Sequence, residues 1–259
     1  MAFSARPNLE LAKKTLPAAL YQCLEYFFKQ HIPGLVLVGG TALSGFYAGH
    51  RRSDDLDLFT KDLDSQKAAV LAAKSLVSLG VKFTYEFQTL QYYKAVCAFK
   101  NHSFTIDIVL DEHLFQVGHF ETLSNKISVA LPQTLLMMKA STLVSRCSEK
   151  DLYDLLWLFD QDPDLNLQTL IEAGQKIDGG VNGESILFVL SETKLNPESC
   201  HFSLDPKISG TQIYEKLVRF QKELISHLRL FLENQPTPPL KDLIKAIKKL
   251  AGRSKKFRY

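Results

Sequence analysis

Apolar and polar positions first alternate between helical and strand periods and then settle into a helical one. A helical pattern over residues 16–30 (LPAALYQCLEYFFKQ) gives way to an apolar run at 35–39 (LVLVG), a helical stretch at 41–49 and a strand at 56–60. Another helical segment at 65–80 is followed by strand patterns at 81–87, 94–99 and 104–110. Beyond Pro132 the period is helical to the end. It is interrupted by the Gly- and Asn-rich DGGVNGE, the loop-like LNPESCHFSLDP, and QPTPP at 235–239, a stiff connector between the last two helices. Alternating helix and strand passing into a run of strands implies an α/β (α+β) core, residues 1–130, and the remainder implies a helical domain, residues 131–259.

Two strand patterns carry misplaced charge. In DDLDLF, Asp55 and Asp57 project to one face while Leu56 and Leu58 project to the other, and Asp54 sits at the strand's edge as a turn or solvated residue. Two like charges on one face repel unless a cation lies between them. In HSFTIDIVLD, Phe104, Ile106, Ile108 and Leu110 share one face, and Thr105, Asp107 and Val109 the other, so Asp107 breaks an apolar strand and requires a cationic partner or a metal. Asp55, Asp57 and Asp107 are therefore the candidate metal ligands and catalytic carboxylates. Hard oxygen donors of this kind suit magnesium, or manganese in its place.

Just before the acidic strand, Gly39 and Gly40 end an apolar strand and open a helix-like stretch, a place where backbone N–H groups can approach phosphate. Gly39, Gly40 and Thr41 are candidate phosphate contacts, and the Ser44 hydroxyl lies within reach of the same group. Ser53, Arg51 and Arg52 flank the acidic pair, and Ser53 is a further candidate nucleotide contact. The HRRS run reads as a solvated loop, with phosphate neutralisation by either arginine as its alternative.

The blocks GGTAL, HRRSDDLDLF, TIDIV around Asp107 and KASTLVSRCSEKDLYDL from Lys139 resemble the nucleotidyltransferase superfamily and, within it, the AbiEii/AbiGii toxin family of bacterial toxin–antitoxin systems. They span roughly residues 35–159. The resemblance implies a nucleotidyltransferase fold, a mixed sheet with flanking helices plus the C-terminal helical domain. It also implies in-line attack by an acceptor hydroxyl on the α-phosphorus of an NTP, releasing pyrophosphate. The acceptor so implied is RNA, in particular the acceptor end of tRNA, and the partner a cognate antitoxin. A small-molecule nucleotidyltransferase of the antibiotic-modifying kind, and an inactive member that binds nucleotide or a partner protein, remain as alternatives.

In the fourth block, Lys139 and Arg146 lie two turns apart on one side of a helix and can reach a common anion. With the resemblance, Lys139 is a triphosphate or base contact and a catalytic candidate, and Arg146 and Asp151 are nucleotide-site residues, the site expected in a cleft with the three carboxylates. On spacing alone, Ser148 and Asp151 cap the next helix, and Asp154 pairs with Lys150.

The net charge is only +3, yet Lys241, Lys245, Lys248, Lys249, Arg253, Lys255, Lys256 and Arg258 face a single acid, Asp242, near the C-terminus. That end is a basic arm or helix able to track an RNA backbone, or a solubilising tail. Four scattered cysteines show neither zinc nor disulfide spacing, and no histidine forms a nucleophile motif. No signal-like or membrane-length apolar run is present, so the expected location is the cytoplasm.

Overall fold

The computed structural model describes residues 3–254, with side chains to Ile247, as two compact units, one of residues 6–135 and one of residues 136–254 with residues 3–5. The first begins with α1 (Leu9–Thr15), capped by Asn8, and α2 (Ala18–Lys29), which starts behind Pro17. Then follow β1 (Leu35–Leu37), α3 (Gly39–Leu43), β2 (Asp55–Thr60), α4 (Leu63–Ser75), β3 (Lys82–Gln88), β4 (Tyr92–Phe99), β5 (His102–Leu110), α5 (Glu112–Val117), β6 (Phe120–Thr122) and β7 (Ser128–Ala130). The strands form one mixed sheet in the order β3-β4-β5-β2-β1-β7-β6. β2 and β5 run parallel, while β1–β2, β3–β4 and β4–β5 are antiparallel.

Strand alternation gives the central sheet two unlike faces. Leu56, Leu58, Tyr93, Ala95, Cys97, Phe104, Ile106 and Ile108 are buried, and α2 and α4 pack on β5 from the helical layer. Those helices supply Leu20, Leu24, Phe27, Ala69 and Ala73, all fully buried. Each large aliphatic side chain so removed from water contributes about 1.5–3 kcal/mol. The intervening residues, Asp55, Asp57, Tyr92, Lys94, Thr105 and Asp107, stay partly exposed on the opposite face.

Between β1 and β2 the chain turns sharply at the two glycines. Gly39 has φ +68°, in the left-handed region. After α3 the helix widens into a π turn over Ser44–Ala48, where the Gly49 N–H donates to the Ser44 carbonyl at 2.8 Å. Such single π turns recur at functional sites. The 41–49 stretch is thus helical, but in two pieces, and Gly49 at φ +57° ends it.

α6 (Pro132–Ser145) leads into the second unit, which holds α7 (Glu149–Gln161), α8 (Leu167–Gln175), α9 (Gly183–Glu192), α10 (Gly210–Leu232) and α11 (Leu240–Ser254). Ser148, Asn166, Asn182 and Ser209 cap four of these helices. Ile213, Leu217, Phe220, Leu224 and Leu228 form the buried stripe of α10, and the Phe220 ring meets Phe159 of α7 at 5.6 Å. The basic C-terminal segment is no solvated arm as far as it is described. Leu240, Leu243, Ile244 and Ile247 are buried, α11 packs on α7 and α10, and the Leu240 N–H donates to the Leu165 carbonyl at 2.9 Å. Lys255, Lys256 and Arg258 lie outside the described residues. Among the described residues no helix is long and apolar enough to cross a membrane.

Candidate active site

The parallel pairing of β2 with β5 sets Asp57 directly beside Asp107 and Asp55 beside Thr105. Directly paired residues share a face, so all three carboxylates and the threonine look the same way. The Thr105 hydroxyl donates to Asp55 Oδ1 at 2.6 Å and lies 3.4 Å from Asp107 Oδ2, which ties the two acids to one hydroxyl. Asp54, at the strand's edge, is half-exposed and 3.1 Å from His102 Nε2.

Asp107 also has partners on β4. The Tyr92 hydroxyl donates to its Oδ1, and Lys94 Nζ lies 3.5 Å from the same oxygen. Burial, and then the hydrogen bond to the Asp107 carboxylate, hold the Tyr92 phenol well above its ordinary pKa. Neither Tyr92 nor Lys94 stood out in the sequence. Their signal is the alternation in YYKAVCAF, where Tyr93, Ala95, Cys97 and Phe99 are the buried set and Tyr92 and Lys94 therefore share the acidic face.

The donor set suits a hard divalent cation: carboxylate oxygens on adjacent strands, partly open to water. It is not a closed cage. Among the described residues, no three His, Cys, Asp or Glu side chains converge closely enough to hold a metal ion as they stand. Tyr92 and Lys94 both engage Oδ1 of Asp107.

The two glycines bring backbone close to protein groups. A Cβ on Gly39 would fall on the Asp57 carboxylate, and one on Gly40 would run into the Arg51 guanidinium and come within 3.1 Å of Ser53 Oγ. Arg51 is 3% exposed and donates from Nη1 to the Arg52 carbonyl at 2.9 Å, which overturns the reading of HRRS as a solvated loop at this residue. Thr41 is fully buried, and its hydroxyl faces Ser53 Oγ at 2.9 Å and the Asp55 carbonyl. The Ser44 hydroxyl donates to the Arg51 carbonyl. These hydroxyls pin the turn to the start of β2.

In the helical unit, Lys139 is buried and reaches two acids of α7, Asp151 Oδ1 at 2.7 Å and Asp154 Oδ2 at 2.8 Å. The anion that Lys139 and Arg146 share is Asp151, whose Oδ2 lies 3.8 Å from Arg146 Nε. Ser148 and Asp151 form a reciprocal capping box, and the Ser148 hydroxyl lies 2.6 Å from Asp151 Oδ2. Burial pushes the Asp151 carboxyl up, but the Lys139 ammonium and the Ser148 hydroxyl together outweigh it and hold the pKa below the usual carboxylate range. Asp154 is fully buried and faces Lys139, so the expected surface pairing with Lys150 is replaced by an internal one.

Residues 24–198 match the family model of the nucleotidyl transferase AbiEii toxin of type IV toxin–antitoxin systems. No curated protein is similar enough in sequence to count as a relative. Among solved structures, the nucleotidyltransferase toxin MenT4 of Mycobacterium tuberculosis is similar over 88% of this chain and 91% of its own, with 15% identity and a TM-score of 0.50. JHP933 of Helicobacter pylori is similar over 88% and 97%, with 16% identity and a TM-score of 0.47. At such identities the likeness to MenT4 is one of fold, and it agrees with the mixed sheet and flanking helices described above. Because the family model covers well over half of the chain, this protein belongs to the AbiEii nucleotidyltransferase toxin family.

Proposed function

We propose that the chain moves a nucleotidyl group from an NTP to a hydroxyl of an RNA acceptor, the acceptor end of tRNA being the first candidate, with Asp55, Asp57 and Asp107 as the catalytic carboxylates. The observation that supports this most is the register of β2 and β5, which pairs Asp57 with Asp107 while Thr105 links Asp107 to Asp55.

In this proposal Asp55, Asp57 and Asp107 hold magnesium, or manganese. The ion, when bound, supplies charge neutralisation at the triphosphate and a lowered pKa at the attacking hydroxyl. The chain's own work is positioning and electrostatics. Gly39, Gly40 and Thr41 offer the first N–H groups of α3 to phosphate oxygens, and Gly39 lets the Asp57 carboxylate sit against that turn. Thr41, Ser44 and Ser53 fix the turn to β2, so phosphate contacts and carboxylates keep one spacing. Arg51, buried behind Gly40, adds positive charge beneath the turn. In the helical unit, Arg146, three-quarters exposed, is assigned the anion contact, while Lys139 anchors Asp151 and Asp154. A cognate antitoxin completes the reading, as the type IV family implies.

The test is incubation of the purified chain with magnesium, each α-labelled NTP in turn, and total RNA. Labelled RNA formed with pyrophosphate release, and lost on chelation, is the expected result. Label transferred only to a small-molecule acceptor such as an aminoglycoside would overturn the RNA assignment, and no transfer to any acceptor would overturn the catalytic one.

A further inference from the structure

We infer that the acidic face of the sheet continues outward into a stacking platform for the bases of a single-stranded RNA acceptor, formed by Tyr85 and Phe87 with Lys94 between them and the carboxylates; this rests on the RNA reading proposed above. Cross-strand partners share a face. Phe87 pairs with Lys94, Lys94 with Asp107, and Asp107 with Asp57, a single row across four strands. Two residues along, Tyr85 pairs with Val96, Val96 with Thr105, and Thr105 with Asp55. Both aromatics therefore look the same way as the acids.

A β-bulge produces this arrangement. The register of β3 shifts between Phe83 and Tyr85. Phe83, opposite the buried Cys97, belongs to the helix-covered face, whereas Tyr85 and Phe87 beyond the bulge belong to the acidic one. Glu86 confirms the parity from the other side, because it accepts the hydroxyl of Tyr93, a buried-face residue, at 2.8 Å. Bulges near active sites re-aim side chains in this way.

β3 is the edge of the sheet, and Tyr85 and Phe87 are 52% and 46% exposed although each is a large ring that the fold gains by covering. Edge strands usually carry charge outward to discourage association. The Phe87 ring lies 6.3 Å from that of Tyr92, whose hydroxyl meets Asp107. With strands about 4.8 Å apart, Phe87 stands about 10 Å from Asp107, and Lys94 falls midway between them. Rings for base faces and a cation for the intervening phosphate, in line with the catalytic carboxylates, are what an unpaired strand needs to present its terminal hydroxyl.

The experiment measures transfer to a single-stranded RNA oligonucleotide with a free 3′ hydroxyl by wild type, by the double variant Tyr85→Ala/Phe87→Ala, and by Phe87→Trp. Native mass and melting temperature are recorded alongside. The double variant should melt like wild type, because both side chains are exposed. Its KM for RNA should rise about 5- to 150-fold for each base that loses its ring while its KM for NTP does not, and Phe87→Trp should keep tight RNA use. An unchanged RNA KM in a chain that does label RNA overturns the platform and leaves the RNA reading standing. An equal rise in the KM for NTP assigns the rings to the nucleotide substrate and overturns it too. A wild-type dimer that the double variant loses would make β3 a self-pairing edge instead. Should wild type label small-molecule acceptors and no RNA, the RNA reading fails and the platform fails with it.

Discussion

Replacing Lys139 by methionine keeps much of the side chain's volume and removes its charge from a site with almost no access to water. The Lys139, Asp151 and Asp154 side chains are 8%, 3% and 0% exposed, and the ammonium lies within 2.8 Å of an oxygen of each acid. Without it, two buried carboxylates face each other's charge. The Ser148 hydroxyl still serves Asp151, but Arg146, 3.8 Å away and mostly solvated, is a weak substitute. Breaking a buried ion pair by removing one member costs about 3–5 kcal/mol, and here one ammonium serves two acids. Urea denaturation at neutral pH should report that loss, and adding Asp154→Asn should restore part of it. The pH dependence has a definite sign. In wild type the Asp151 pKa is depressed, so its contribution is present above the unfolded carboxylate pKa and fades as pH falls through the folded value. In the variant, burial acts on Asp151 without the opposing lysine, so that carboxyl takes a proton at higher pH than in wild type and the deficit shrinks on acidification. A deficit below about 1 kcal/mol, or one that does not change as pH falls, would refute the reasoning.

Gly39→Ala forces a side chain into a left-handed conformation and onto the Asp57 carboxylate; a loss of about 1–2 kcal/mol in thermal stability and of metal-dependent transfer is expected, checked by melting and by labelled-NTP assay. Thr41→Val removes a buried hydroxyl that holds the turn to Ser53 and to the Asp55 carbonyl. About 1–3 kcal/mol should disappear from urea stability, with transfer slowed as the turn loosens. Because α11 is part of the helical core, the contribution of the basic C-terminal segment to RNA affinity is best tested by Lys241→Ala/Lys245→Ala, not by truncation. The slope of log affinity against log salt should flatten by about one for each of these lysines that neutralises a phosphate.

Strand periodicity made the acidic face legible. Alternation in DDLDLF and FTIDIVL separates the acids from Leu56, Leu58, Ile106 and Ile108, which are fully buried. Periodicity does not give register across the long insertion between these strands, and the pairing of Asp57 with Asp107 is visible only in the fold. The capping signal at Ser148 was readable because a cap is a local contact. The partner of Asp154 was not, since Lys139 reaches it from a different helix. Arg51 resembled a loop residue in sequence, and its burial against Gly40 is visible only in the fold. β6 and β7, three residues each, are too short to carry a period at all.

The central claim is that the acids of β2 and β5 act together on an NTP. The most direct measurement is the rate of magnesium-dependent pyrophosphate release and label transfer by Asp57→Asn and Asp107→Asn beside wild type, with melting temperature recorded for each. Both variants are expected to stay folded and to lose at least about a hundredfold in rate, with Asp57→Asn melting at or above the wild-type temperature because it removes a negative charge beside Asp107, and Asp107→Asn melting lower because it breaks the contact with Lys94. A folded Asp57→Asn or Asp107→Asn protein that transfers nucleotide at the wild-type rate would contradict the claim.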